Sequence, residues 1–229
     1  MADVAFGWWE GEAVLGKGQE ASFDALKRIR ERSPFNWVHV HPDNDKSFIN
    51  WHLFRYCEAE DLEFSRSRPY HNNDNNFVEQ KNSTHVRAVI GHLRYDTEKE
   101  LEVINSLYRG ELRLYKNFFQ PVMKLKEKIR DKGKVHRKYD TPLTPYQRIM
   151  ESEKIPEENK KELRKLYQRL NPAELKRKID EKIHRLFQIY EEKQGGGGGG
   201  KASPSKKQTP RLETKSYLFN GRTTPASVT

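Results

Sequence analysis

An α/β sheet layered by helices, followed by an all-helical basic extension and a disordered tail, is the architecture this 229-residue sequence predicts. Three observations lead there. Short apolar runs alternate with helical patterns over residues 35–93, as expected of strands covered by helices. From Thr97 the apolar spacing becomes purely helical. Six consecutive glycines at 195–200 then end the patterned sequence, and the Ser-, Pro-, Thr- and Lys-rich remainder cannot bury enough apolar surface to fold. The boundaries that follow are 1–95 for the sheet-bearing part, 96–194 for the extension and 195–229 for the tail.

Taken in order, residues 2–14 read as a short strand pair, with Val4, Ala5 and Phe6 on one side of Gly7 and Trp8-Trp9 on the other. Residues 19–31 place Phe23, Leu26 and Ile29 on one helical face, and Ser33-Pro34 stops that helix. Phe35 to His41 is a buried strand that leads to Asp43. A helix over about 47–59 turns Phe48, Trp51, Phe54 or Arg55, and Cys57 toward the sheet. Leu62 to Ser65 alternates as a strand. Residues 67–76 are a polar loop, and a long helix then carries Glu79 in its first turn and continues through Val86, Val89, Ile90 and Leu93. Thr97 and Glu100 form a capping box ahead of a stripe of Leu101, Ile104, Tyr108, Leu112, Tyr115 and Phe118. Pro121 ends that helix. Residues 121–145 are basic and irregular, and helices follow near 145–152 and 156–170. Asn171, Pro172 and Glu174 open a last amphipathic helix bearing Leu175, Ile179, Ile183, Leu186, Phe187 and Tyr190.

Composition narrows the function classes. Apolar residues make up 34% and charged residues 33%, so most helices must expose a wide polar face. The single cysteine, Cys57, excludes a disulfide framework and a cysteine zinc site. No run of eighteen apolar residues exists to span a membrane, and the N-terminus lacks the basic and apolar regions of a signal peptide. A cytoplasmic, nucleoid-associated setting is expected. The net charge of +10 is unevenly placed. Residues 1–79 hold 9 Lys and Arg against 14 Asp and Glu, whereas residues 80–194 hold 28 against 18. A carboxylate-bearing part beside a basic part suits a metal site beside a polyanion.

Asp43 at a strand end and Glu79 at a helix start, with 35 residues between them, are the carboxylates such a site would use. The strings around them carry a resemblance. Asp43-Asn44, Phe48-Ile49-Asn50, Ser67-Arg68-Pro69-Tyr70, Asn73-Asp74 and Phe77-Val78-Glu79-Gln80-Lys81-Asn82 resemble the integrase catalytic core of bacterial DDE-type transposases. Leu93-Arg94-Tyr95, Asn117-Phe118-Phe119-Gln120-Pro121 and Tyr139-Asp140-Thr141-Pro142 extend the likeness over roughly residues 2–190. The resemblance implies an incomplete ribonuclease H-like mixed sheet with flanking helices. It also implies metal-dependent cleavage of DNA and strand transfer in the intact parent, with Asp43 and Glu79 as metal-binding catalytic carboxylates for Mg2+ or Mn2+. The family's first Asp has no match here, and Asp3 occupies a non-catalytic position of the pattern. Asp45 replaces the family's glycine, and Ser47 stands at a usually acidic position. An N-terminally truncated, inactive copy is therefore expected, with double-stranded DNA, an intact transposase or a second copy of itself as partner. The alternative is a non-catalytic DNA-binding remnant that interferes with the intact enzyme.

Other residues are candidates by type. Arg66, Arg68, Lys81 and Arg87 lie near Glu79 in sequence and suit phosphate contacts. His39, His41 and Asp43 alternate along one strand face and form a possible metal cluster, although partly buried strand histidines are the commoner case. His85 and His92, seven apart, share a helix face without a third ligand. The Trp8-Trp9 pair reads as core and sheet cover.

Overall fold

Ser22, Ala25 and Ile29 recur every three or four residues, so Gln19–Arg32 winds into a helix, α1, with that face buried. The computed structural model describes residues 1–42, 51–68, 76–131 and 134–195. After α1, His39–Val40 (β1) pairs in parallel with Glu63–Phe64 (β2), His39 facing Glu63 and Val40 facing Phe64. Helix α2, Trp51–Ala59, lies between them in the chain. A parallel pair requires such a crossover, because a tight turn returns the chain antiparallel. Val40, Leu53, Cys57 and Leu62 form a small core beneath this unit, with Leu26 of α1 packed on it.

Glu79 stands in α3, Asn76–Lys81. The helix then widens into a π-helical stretch, Asn82–Arg87, and tightens again as α4, Ala88–Ile90. Gly91 takes φ +77°, a conformation that favours glycine, and the helix ends there. Helices α5 (Glu98–Arg109) and α6 (Glu111–Phe118) follow. The antiparallel strands β3 (Leu125–Asp131) and β4 (Lys134–Tyr139) come next, then α7 (Pro145–Glu151), α8 (Glu157–Gln168) and α9 (Pro172–Gly195). Ile104, Leu107, Tyr108 and Leu112 of α5 and α6 interlock with Ile179, Ile183 and Leu186 of α9, and Trp9, Val89 and Ile90 complete this core. A second core joins Trp8 and Phe118 to Ile149, Ile155 and Leu163.

The adjacent tryptophans thus serve two different cores. Successive side chains of an extended segment point to opposite sides, so Trp8 meets Phe118 and Phe35 edge-on while Trp9 meets Tyr108. Asn117 holds the segment in place: its Oδ1 accepts from the Trp9 backbone N–H and its Nδ2 donates to the Trp9 carbonyl, each at 2.8 Å. Both cores therefore cross residue 95, and the first residues of the chain are built into the helical part.

Several expectations are corrected. Residues 2–14 do not pair as strands. They form a turn held by a single bridge between Ala2 and Trp9, with Gly7 at φ +80°, because the two tryptophans are drawn into helical cores. The strand expected over residues 35–41 is reduced to two residues, since Phe35 turns away to pack on Phe6 and Trp8. The helix expected from Thr97 to Phe118 breaks at Gly110, where a Cβ would lie 2.9 Å from the Ser106 carbonyl. Leu93 lies beyond the helix end at Gly91 rather than within it. The extension is not all-helical: β3 and β4 form a hairpin where the sequence looked irregular. The residues of both strands are exposed, so no alternation of buried and exposed positions marks it in the sequence. The expected disordered tail from 196 onward lies outside the described residues.

Caps matter at the ends of these helices. Thr144 and Gln147 form a capping box at the start of α7, with Pro145 at its first position and Thr144 buried. Thr144→Ala removes the acceptor for the Gln147 N–H and is expected to lower unfolding free energy by about 1 kcal/mol. A urea titration checks this through the midpoint at unchanged slope.

Candidate functional site

The parallel pairing decides which residues share an edge. The chain leaves β1 at Val40 toward Asp43 and leaves β2 at Phe64 toward Arg66 and Arg68. Both departures are at the carboxyl ends of parallel strands, so they lie side by side. Just beyond the strands, His41 ties the two segments together: its Nδ1 lies 2.7 Å from the Ser65 hydroxyl and its Nε2 3.2 Å from that of Ser67. His39 Nε2 is 2.6 Å from the same Ser65 hydroxyl. The histidines weighed as metal ligands thus hold serines. Among the described residues no group of three or more His, Cys, Asp or Glu side chains forms a metal site. Asp43 lies outside the described residues, as do Asp45 and Ser47.

Glu79 is exposed on α3 and forms no ion pair among the described residues. It offers the hard anionic oxygen that Mg2+ or Mn2+ prefers, and among the described residues it pairs with no cation. The donor type fits the ion implied by the sequence. Arg66, Arg68 and Arg87 are exposed.

Lys81 has a different environment. It is partly buried, and burial together with the nearby charge of Lys124 lowers its pKa to about 8. Lys116 of α6 is 5% exposed and donates from Nζ to the Thr84 carbonyl of the π-helical stretch at 3.2 Å. Burial and Lys81 lower its pKa to about 8 as well. His85 sits beside them, its ring 5.3 Å from that of Trp9 and its Nδ1 2.7 Å from the Thr84 hydroxyl. Burial, Lys81 and Lys116 depress its pKa to about 2, which keeps the imidazole neutral at ordinary pH. The wide π turn and the stop at Gly91 also separate His85, which is buried, from His92, which is exposed. Sequence reading missed Lys116. Its signal was present, since it lies four residues after Leu112 on the buried side of the helix.

No protein-family profile matches the chain. It is similar to a Sinorhizobium fredii protein described as "Uncharacterized protein y4rM", at 36% identity over 148 residues. That alignment takes in 65% of this chain and 42% of the relative, so the chain spans about two fifths of that protein's length. No helix among the described residues is long and apolar enough to cross a membrane.

Proposed function

We propose that this chain is part of a DDE-type transposase with a ribonuclease H-like core, and that the 229 residues alone bind duplex DNA without cutting it. One observation carries the reading: the carboxyl edge shared by β1 and β2 sends the chain toward Asp43 from one strand and toward Arg66 and Arg68 from the other. Ligands of open α/β sheets sit beyond the carboxyl ends of the strands. The segment carrying Arg66 and Arg68 therefore starts from the edge where a phosphodiester would lie, and Asp43 follows β1 in the sequence. The crossover β1–α2–β2 is the kind of unit a ribonuclease H-like sheet contains.

In this reading Arg66, Arg68 and Arg87 neutralise phosphates and set the register of the duplex. Glu79 and Asp43 would hold a divalent ion, Mg2+ or Mn2+, which when bound supplies polarisation of the phosphate. The sequence carries no match to the family's first Asp, and two carboxylates do not position both oxygens of an in-line displacement. Cleavage and strand transfer then belong to a longer parent protein. A second reading, a non-catalytic binder that occupies the sites of an intact transposase, is favoured by the excess of 28 basic over 18 acidic residues across 80–194.

The full chain is expected to shift a duplex of about 30 base pairs at ~50 mM salt, with log affinity falling linearly against log salt. No nicked or joined product is expected in Mg2+ or Mn2+. Failure to bind at that salt overturns the DNA reading. Metal-dependent nicking that disappears in Glu79→Gln overturns the inactivity of the isolated chain.

A further inference from the structure

The hairpin β3–β4 separates its charges by face. Its register pairs Glu127 with Lys138, Ile129 with His136 and Asp131 with Lys134 on one side. Both carboxylates there face a lysine, so the acidic charge of that side is matched. On the other side Lys128 stands directly opposite Arg137, and Arg130 is paired with Val135. Like charges facing across two strands destabilise a hairpin, and among the described residues of that face no carboxylate offsets them. Every described residue of both strands is exposed.

The hairpin is nevertheless firmly aimed. At its base Asp140 donates its N–H to the Lys124 carbonyl at 2.9 Å, and its Oδ1 accepts from the Lys124 N–H at 2.6 Å. Arg148 of α7 grips the same turn, donating to Asp140 Oδ2 at 2.7 Å and to the Val122 carbonyl at 2.9 Å. Val122 and Leu143 close the stem with a two-way backbone bridge. An arm with one unmatched cationic face, fixed to a helix, is built to meet something anionic.

We infer that the face formed by Lys128, Arg130 and Arg137 binds the phosphate backbone of double-stranded DNA. This deepens the DNA-binding reading above and rests on it. The three charges call for a polyanion, and the shape selects which one. The major groove of B-form DNA admits a two-stranded β-ribbon, whereas the deep, narrow major groove of duplex RNA does not admit side chains. Tyr139, two residues beyond Arg137, is the only aromatic ring among the described residues of this face, whereas a single-strand platform stacks successive bases on several rings. Beside the charges it carries Val135 and, at the base of the hairpin, the Leu125–Tyr139 pair, too little apolar surface for insertion into a lipid surface.

The test compares two charge-removing variants of the full chain by fluorescence anisotropy on one duplex between about 50 and 200 mM salt. In Lys128→Gln/Arg130→Gln/Arg137→Gln, loss of three phosphate contacts is expected to reduce the log–log salt slope by about 2.7. The intact chain should accordingly lose about forty-fold more affinity than this variant across that salt range. Lys134→Gln/Lys138→Gln, on the matched face, should keep the slope of the intact chain, as should the charge-conserving Arg130→Lys/Arg137→Lys. If the intact chain binds DNA and the triple variant keeps its slope, this inference falls and the proposed function stands. If both faces lose slope equally per charge removed, the face assignment is overturned. If the intact chain binds vesicles of anionic phospholipid and not DNA, both readings fall.

Discussion

Glu10→Ala is expected to cost about 3–5 kcal/mol of stability, because it strips one partner from a buried ionic network. Glu10 is fully buried. Its Oε1 accepts from the Trp8 indole N–H at 2.9 Å and from Arg113 Nε at 2.6 Å, while Arg32 Nε approaches Oε2 at 3.5 Å. The carboxylate joins the end of α1, the start of α6 and the tryptophan of the second core. Its loss leaves the Trp8 indole N–H without its acceptor and the Arg113 guanidinium without its counter-charge, while Arg32 keeps Glu12 at 3.0 Å. Glu10→Gln keeps an acceptor for Trp8 and should fall between the intact chain and the alanine variant. Urea unfolding followed by tryptophan fluorescence reads the difference. A loss below about 1 kcal/mol would mean that Arg32 and Arg113 find water instead, and that the network does not hold the N-terminal segment.

The second large effect has the opposite sign. Lys116 is buried beside Lys81, and its pKa falls from the ordinary 10.5 to about 8. The unfolded chain therefore holds a proton on this lysine between about pH 8 and 10.5 that the folded chain has released. Stability rises with pH through that window, and below pH 8 the charged lysine costs the fold about 3 kcal/mol. Lys116→Met removes the charge and keeps most of the aliphatic volume, at the expense of the hydrogen bond to the Thr84 carbonyl. A net gain of about 1–2 kcal/mol at pH 7 is expected, with a flatter stability curve above pH 8. Thermal unfolding at pH 7, 8.5 and 10 measures both. Destabilisation at all three values would mean that the ammonium group is favourable where it sits.

Much of the helical framework was legible in the sequence, and the reason is local. In α9 the residues from Leu175 to Leu186 repeat on one face and are buried, as spacing alone foretells. Thr97 and Glu100 cap α5 reciprocally, as their separation of three residues predicts. The illegible parts depend on distant partners. Nothing local announces that Trp8 and Trp9 fill two different cores, since their partners lie about a hundred residues away. Glu10 reads as an ordinary surface glutamate until Arg32 and Arg113 are brought to it. The hairpin escapes periodicity because Lys, Glu and Arg fill both its faces, and such residues carry little strand preference. At the break by Gly110 the Ser106 carbonyl also accepts from Lys182 Nζ on α9, at 3.2 Å, a contact no window of sequence contains.

The candidate site was legible in a different way. Glu79 and the arginines were picked out by their neighbours in sequence; in the structure Glu79, Arg66, Arg68 and Arg87 are exposed. Parallel pairing adds what spacing does not contain, namely that the routes to Asp43 and to Arg66 leave the same edge. Lys81 is the exception among the four basic candidates. Its side chain is partly buried near Lys124 and lies less open to a polyanion than the arginines.

Photo-crosslinking of the full chain to a duplex carrying halogenated pyrimidines, followed by peptide mapping, tests the central claim most directly. If the chain presents a transposase-like edge to DNA, crosslinked peptides include the segment with Arg66 and Arg68 and the helix with Glu79 and Arg87, alongside the β3–β4 hairpin. Crosslinks confined to the hairpin and α9, with none between residues 60 and 90, would contradict that edge and leave a basic DNA binder with no transposase-like site.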